Sequence, residues 1–181
     1  MESALSSLII FAVGLFAAVT LSYTYLETQD SLWTAEQIRQ EEMSERDRTE
    51  IEIQSTETQG NGSLVKVIVQ NSGQTKLADF DRWDVVVEYY SDPLLENDPD
   101  VYQIAWLPYT SEPLDDMQWT VSGIYLDANT LTPEVFEPGI LNPDEEMVIQ
   151  AKLTPTIAMT TTNRITISSL NGIEISSHFT R

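Results

Sequence analysis

The chain has no cysteine, which excludes disulfide staples, thiolate metal sites and cysteine nucleophiles. Its one histidine, His178, is too little imidazole for a histidine-rich metal centre. His178 alternates with apolar neighbours near the C-terminus, so it reads as a sheet residue rather than a catalyst. Basic residues are scarce: 9 Lys and Arg stand against 29 Asp and Glu, for a formal net charge of -20. A surface of that sign repels phosphate backbones, so no nucleic-acid partner is expected. It also repels anionic lipid head groups, so any membrane contact must be hydrophobic. No phosphate-binding glycine loop is present. Carboxylates are numerous, but nothing in the sequence selects one pair as the acid and base of a glycosidase. No enzymatic activity is expected, and no cofactor.

Charge is also absent from one long stretch. Residues 3–26 contain no Asp, Glu, Lys or Arg. As a helix rising about 1.5 Å per residue they span roughly 36 Å, enough to cross about 30 Å of hydrocarbon. The run exceeds the apolar part of a signal peptide, about 7–15 residues. No Lys or Arg precedes Arg39, whereas a signal peptide has a basic start and a cytoplasmic flank carries Lys or Arg. A basic leader removed before assembly would account for this.

The run is rich in small residues: Ala4, Ser6, Ser7, Ala12, Gly14, Ala17, Ala18 and Ser22. Gly14 and Ala18 form a small-xxx-small pair, which lets helices approach closely. The large residues Leu5, Leu8, Ile9, Phe11, Leu15, Phe16 and Leu21 are spread around the helix. A helix apolar all round must be covered on every side. The expected packing positions in a shared helical core are Leu5, Leu8, Phe11, Gly14, Leu15, Ala18 and Leu21. Residues 27–48 continue the helix as a polar stretch with pairs such as Glu42/Arg46 at i,i+4. They form either a solvated stalk or an outer helical layer beneath neighbouring heads.

From residue 49 the period changes. Residues 49–54 alternate polar and apolar, and residues 64–69 are strongly β-prone. Further strands are expected at 83–90, 101–107, 117–126, 147–153, 164–169 and 173–175. Asn171-Gly172 marks a closing hairpin whose turn positions favour positive φ. Strands at this spacing, with most prolines between them, predict a sandwich or small barrel. Residues 91–100 and 130–146 are Pro-rich and acidic and are expected to be surface loops. The predicted fold class is α+β. An N-terminal helix occupies 1–48 (apolar 3–26, polar 27–48) and an all-β head occupies 49–181.

Three features invite a site reading. Asp79, Asp81 and Asp84, or Asp98 and Asp100, offer oxygen ligands of the kind calcium takes, but an acidic chain produces such clusters by chance and no EF-hand pattern is present. Asn61-Gly62-Ser63 is a sequon on an expected turn, which makes Asn61 a candidate for N-glycosylation. Trp33, Trp83, Trp106 and Trp119 are assigned to packing between sheets or subunits rather than to a sugar platform.

An apolar helix followed at once by an all-β head resembles archaellins and the wider type IV pilin-like group. Val67-Ile68-Val69-Gln70-Asn71-Ser72-Gly73 followed by Leu77 looks like a strand-Asn-x-Gly segment common in archaellin and related accessory-protein heads. Residues Gly139-Ile140-Leu141-Asn142-Pro143-Asp144-Glu145-Glu146 before a strand, and Asn171-Gly172 in the closing hairpin, are similar to that group as well. The resemblance implies an immunoglobulin-like sandwich and a leader removed by a dedicated peptidase. It further implies transient membrane insertion and assembly by a platform membrane protein with an ATPase. The sequence departs from the group at Leu5, where pilins carry glutamate, and at Ser6, where archaellins often carry an acidic residue. Glu2, the only early acidic residue, is placed to pair with a neighbour's α-amine.

The expected function is a structural subunit of an extracellular archaellum-like or type IV pilus-like filament, a homopolymer held by its N-terminal helices and serving motility or adhesion. The alternatives are a minor membrane-anchored accessory protein whose sandwich binds an envelope component, and a monomeric membrane-anchored binding domain.

Overall fold

The computed structural model describes residues 2–92 and 99–181, with helix side chains from residue 7 onward. The first element, α1, runs Glu2–Arg48. It contains no proline and only one glycine, Gly14, so nothing in it forces a break. Arg46 and Arg48 lie in its last turn, where cations complement the carbonyl end of the helix dipole. The β-branched and hydroxyl residues in its middle are accommodated by their own hydrogen bonds. Thr20, Ser22, Thr24, Thr28, Ser31 and Thr34 each donate to the carbonyl four residues earlier, at 2.8–3.0 Å.

The chain divides into two compact units, Met1–Ser44 and Glu45–Arg181. The division falls inside α1, so the last helical turn counts with the head.

The head is a sandwich of antiparallel strands: β1 Ile51–Gln59, β2 Leu64–Asn71, β3 Asp84–Ser91, β4 Val101–Leu107, β5 Gln118–Asp127, β6 Thr132–Pro133, β7 Glu146–Lys152, β8 Thr162–Ser168 and β9 Glu174–Thr180. One sheet has the order β1-β2-β7-β5-β6 and the other β4-β3-β8-β9. Alternation builds the core between them. Val65, Val67 and Val69 of β2 face Val85, Val87 and Tyr89 of β3, joined by Met147, Ile149, Ile165, Ile167 and Trp119, all fully buried. Trp119 stacks edge-on against Tyr109, with ring centroids 4.9 Å apart. On the outer face of the first sheet a smaller cluster forms, where Ala128 and Tyr125 cover Ile68 and Val148.

The strand readings stand, with four differences, one being that the last strand, expected at 173–175, runs on to Thr180. β1 extends to Gln59, because its polar second half pairs with the apolar residues of β2 after a register shift between Ile53 and Ser55. The acidic segment 130–146 contains β6, a two-residue edge strand whose Pro133 is tolerated at an edge. The closing hairpin uses a longer loop than expected. Gly172 N–H bonds to the Ser169 carbonyl at 3.0 Å, and of Asn171 and Gly172 only Gly172 has positive φ. The centre of the expected loop 91–100, including Asp98, lies outside the described residues.

Candidate functional site

Two features of the molecule are not explained by the head's own core: the surface of α1 and the way its last turn is held. From Leu8 to Leu26 every large apolar side chain of α1 is exposed, including Leu8, Phe11, Leu15, Phe16 and Leu21. These lie on all sides of the helix. A Cβ placed on Gly14 would meet nothing within 4 Å inside the chain. Glycine costs an exposed helix about 1 kcal/mol relative to alanine, and here no intrachain contact repays it. The hydroxyls of Thr20 and Ser22 are already satisfied on the helix backbone, so this segment can enter an apolar environment without stranding them. Of the expected packing positions, Leu8, Phe11, Gly14, Leu15, Ala18 and Leu21 are on this bare helix; the side chains of Leu5 and Glu2 lie outside the described residues.

The last turn, in contrast, is clamped. A helix end leaves carbonyls without intrahelical partners. Here Thr49 Oγ1 and Thr75 Oγ1 donate to the Glu45 carbonyl at 2.7 and 3.4 Å, and Gln74 N–H donates to the Arg48 carbonyl at 2.8 Å. Gly73 N–H donates to the Glu50 carbonyl at 2.9 Å. Thr49 is buried, and its hydroxyl accepts a bond from Asn171 Nδ2 at 2.9 Å. A Cβ on Gly73 would lie 2.4 Å from Glu50 N and 2.6 Å from the Arg48 oxygen, so only glycine fits where the chain leaves the helix.

Asn71 aims this loop. Fully buried, it donates to the Thr75 and Leu141 carbonyls at 2.8 and 3.0 Å while its Oδ1 accepts from Gly73 N–H at 3.1 Å. The Asn142–Glu145 turn backs it. Asp144 N–H donates to the Asn71 carbonyl at 2.8 Å, and Leu77 and Leu141 exchange backbone bonds. Buried Glu145 accepts from Asn142 N–H and Nδ2 at 2.9 and 3.1 Å. Two of the segments that carry the sequence resemblance, the Asn71–Gly73 turn and Asn171, thus bond within residues 45–50 directly or through the next residues, and the third, 139–146, bonds to Asn71 and Leu77 behind them. The sequence signal for this capping loop is a strand ending in Asn-x-Gly, where a side-chain amide caps its own turn.

The remaining candidates scatter. Asn61 is exposed on the β1–β2 turn at φ 55. Among the described residues no group of three His, Asp or Glu is placed to hold a metal. Asp84 instead accepts a bond from Trp106 Nε1 at 2.8 Å. His178 is exposed on β9 opposite Arg164. Trp83 and Trp119 are in the core, while Trp33 and Trp106 are exposed. On the outer face of the second sheet Glu88 accepts from Tyr102 Oη at 2.6 Å and from Arg164 Nε at 3.0 Å. The Tyr102 bond and then the Arg164 guanidinium hold the Glu88 carboxyl below its ordinary range, and the same bond pushes the Tyr102 phenol up.

No family model matches the chain, and no curated protein does. The solved structure of the archaeal flagellum of Methanospirillum hungatei strain JF1 matches over 97% of this chain and 92% of that chain, at 11% identity and TM-score 0.60. The fold is that of archaellum proteins. The archaellum periplasmic stator protein FlaG from Sulfolobus acidocaldarius matches 72% of this chain and 99% of its own, at 18% identity and TM-score 0.49. The stator complex of FlaF and FlaG from the same organism matches 71% of this chain and 87% of that chain, at 18% identity and TM-score 0.48.

Proposed function

We propose that this chain is a structural subunit of an extracellular archaellum-like filament, polymerising through α1. The observation that carries the reading is the helix from Leu8 to Leu26, apolar on every side and covered by nothing in its own chain. A surface of that kind is stable only in lipid or against other helices. Gly14 and Ala18 favour helices, because small residues gain close backbone approach against a protein neighbour and gain nothing against lipid tails. The match to the archaeal flagellum across helix and head together supports the same reading. In it, α1 sits in the membrane before assembly, a platform protein and an ATPase drive insertion into the polymer, and the acidic heads tile the surface. Rotation would give motility and a static filament adhesion. Asn61, exposed on its turn, is where a glycan would be carried.

The test is the double substitution Gly14→Leu and Ala18→Leu. Sheared surface material, seen by electron microscopy, is expected to lose its filaments, while the protein still fractionates with membranes and the head unfolds normally. Filaments of ordinary number and length would overturn the reading.

One observation favours the accessory alternative, in which α1 stays in lipid and the head binds another envelope component: among the described residues no strand lies beyond β4 at its edge of the sheet. Abundance separates the two. A major subunit dominates sheared surface protein, and an accessory protein stays with the cell body.

A further inference from the structure

The outer face of the second sheet carries an open depression of about 390 Å³ that polymerisation through α1 leaves unused. Strand register builds it. Glu88 on β3 stands opposite Arg164 on β8, and Arg164 stands opposite His178 on β9. Two positions further along β3, Tyr90 stands opposite Tyr102 on β4. A polar row and an aromatic row therefore lie about 7 Å apart on one face, the rise of two strand residues.

These groups are held in place before any ligand arrives. Glu88 accepts from Tyr102 Oη at 2.6 Å and from Arg164 Nε at 3.0 Å, and Arg164 Nη2 reaches the same carboxylate. The Tyr90 and Tyr102 rings sit 5.3 Å apart, tilted by 57°. Buried Asn163 accepts from Tyr90 N–H at 3.0 Å, which ties the aromatic row to β8. Among the described residues, Arg164 Nη1, the His178 ring nitrogens and the Tyr90 hydroxyl make no hydrogen bond.

That set of groups selects a ligand class. Arg164 neutralises Glu88, so the depression offers a cation no bare carboxylate and an anion no bare guanidinium. A net charge of -20 disfavours acidic ligands further. What remains is aromatic surface beside fixed donors and carboxylate lone pairs. A pyranose ring matches both halves: its C–H face suits the electron-rich faces of tyrosine rings, and its hydroxyls donate and accept. We propose that this depression binds one residue of a neutral saccharide, with the ring on Tyr90 and Tyr102 and the hydroxyls on Arg164, His178 and Glu88. Glu88 is the only carboxylate lining it, so the depression holds the sugar without the carboxylate pair that would cleave it. The site belongs to the head alone and stands whether other helices or lipid cover α1.

The test uses the full chain in a detergent without a sugar head group, followed by ligand-observed NMR. The uncharged probes are methyl α-mannoside, cellobiose and N,N′-diacetylchitobiose, and glucuronate is the charged one. At least one uncharged probe is expected to bind at millimolar concentration. Tyr90→Ala and Arg164→Ala are each expected to weaken that binding about tenfold or more, with the urea midpoint as the check that the head stays folded. Trp106→Ala, on the same face but outside the depression and 62% exposed, is expected to leave binding unchanged. No binding of any uncharged probe, binding of glucuronate alone, or equal loss in Trp106→Ala and Tyr90→Ala would each overturn the proposal.

Discussion

The helix and the head use the same apolar residue types to opposite ends. In the head, Val65, Val85, Ile149 and Ile165 alternate with polar neighbours and vanish between the sheets. In α1, Leu8, Phe11, Leu15 and Phe16 follow no alternation and stay exposed. The head therefore carries its own stabilising surface, and the helix depends on something outside the chain. The contrast extends to glycine. Gly73 is required by contacts within the chain, whereas Gly14 meets none.

The contrast is sharpest in the core. Trp119→Ala is expected to cost the head about 3–5 kcal/mol in urea unfolding, since it empties the largest fully buried side chain. Phe16→Ala is expected to leave the same unfolding curve within about 0.5 kcal/mol. If Phe16→Ala destabilised the head comparably, the two regions would not be independent. Gly73→Ala should cost about 1–3 kcal/mol, because its Cβ lands on the Glu50 nitrogen and the Arg48 oxygen. Circular dichroism during unfolding would read this out, and a neutral result would remove the clamp on residues 45–50. Gly14→Ala goes the other way, raising the helicity of the isolated chain by about 1 kcal/mol of propensity while weakening assembly. A sedimentation series with and without the substitution checks both signs.

The smallest effect is in pH. Glu88, Asp116 and Asp127 are all held below their ordinary values: Glu88 by Tyr102 and Arg164, Asp116 by Lys152, and Asp127 by the backbone and hydroxyl of Thr130. A depressed carboxyl contributes stability in full above its unfolded value and loses it as pH falls through the folded one. For Glu88 that loss begins as pH drops below about 4.5. Glu88→Gln should accordingly flatten the acid side of the stability profile, measured as the urea midpoint against pH. An unchanged slope would mean that the Tyr102 and Arg164 contacts do not persist in solution.

Much of this architecture was legible in the residues because it rests on local rules. The lack of charge over 3–26 and the switch to alternation near 49 mark helix and head. The parts that were not legible depend on chain segments far apart in sequence. The second half of β1 is polar and is a strand only because β2 pairs with it. β6 contains a proline and too few residues to show a period. Asn171 reads as a turn former, yet its side chain reaches Thr49 across most of the head sequence. β4 is uncharged and mostly apolar, which reads as a buried strand; only the topology makes it an edge.

The central claim is that copies of α1 cover one another. A nitroxide on Leu15→Cys in the otherwise cysteine-free chain, read by dipolar electron spin resonance in native surface material, tests it directly. Packed helices with axes about 8–10 Å apart predict strong broadening from several neighbouring spins. A narrow spectrum, typical of one label alone in lipid, would contradict the account.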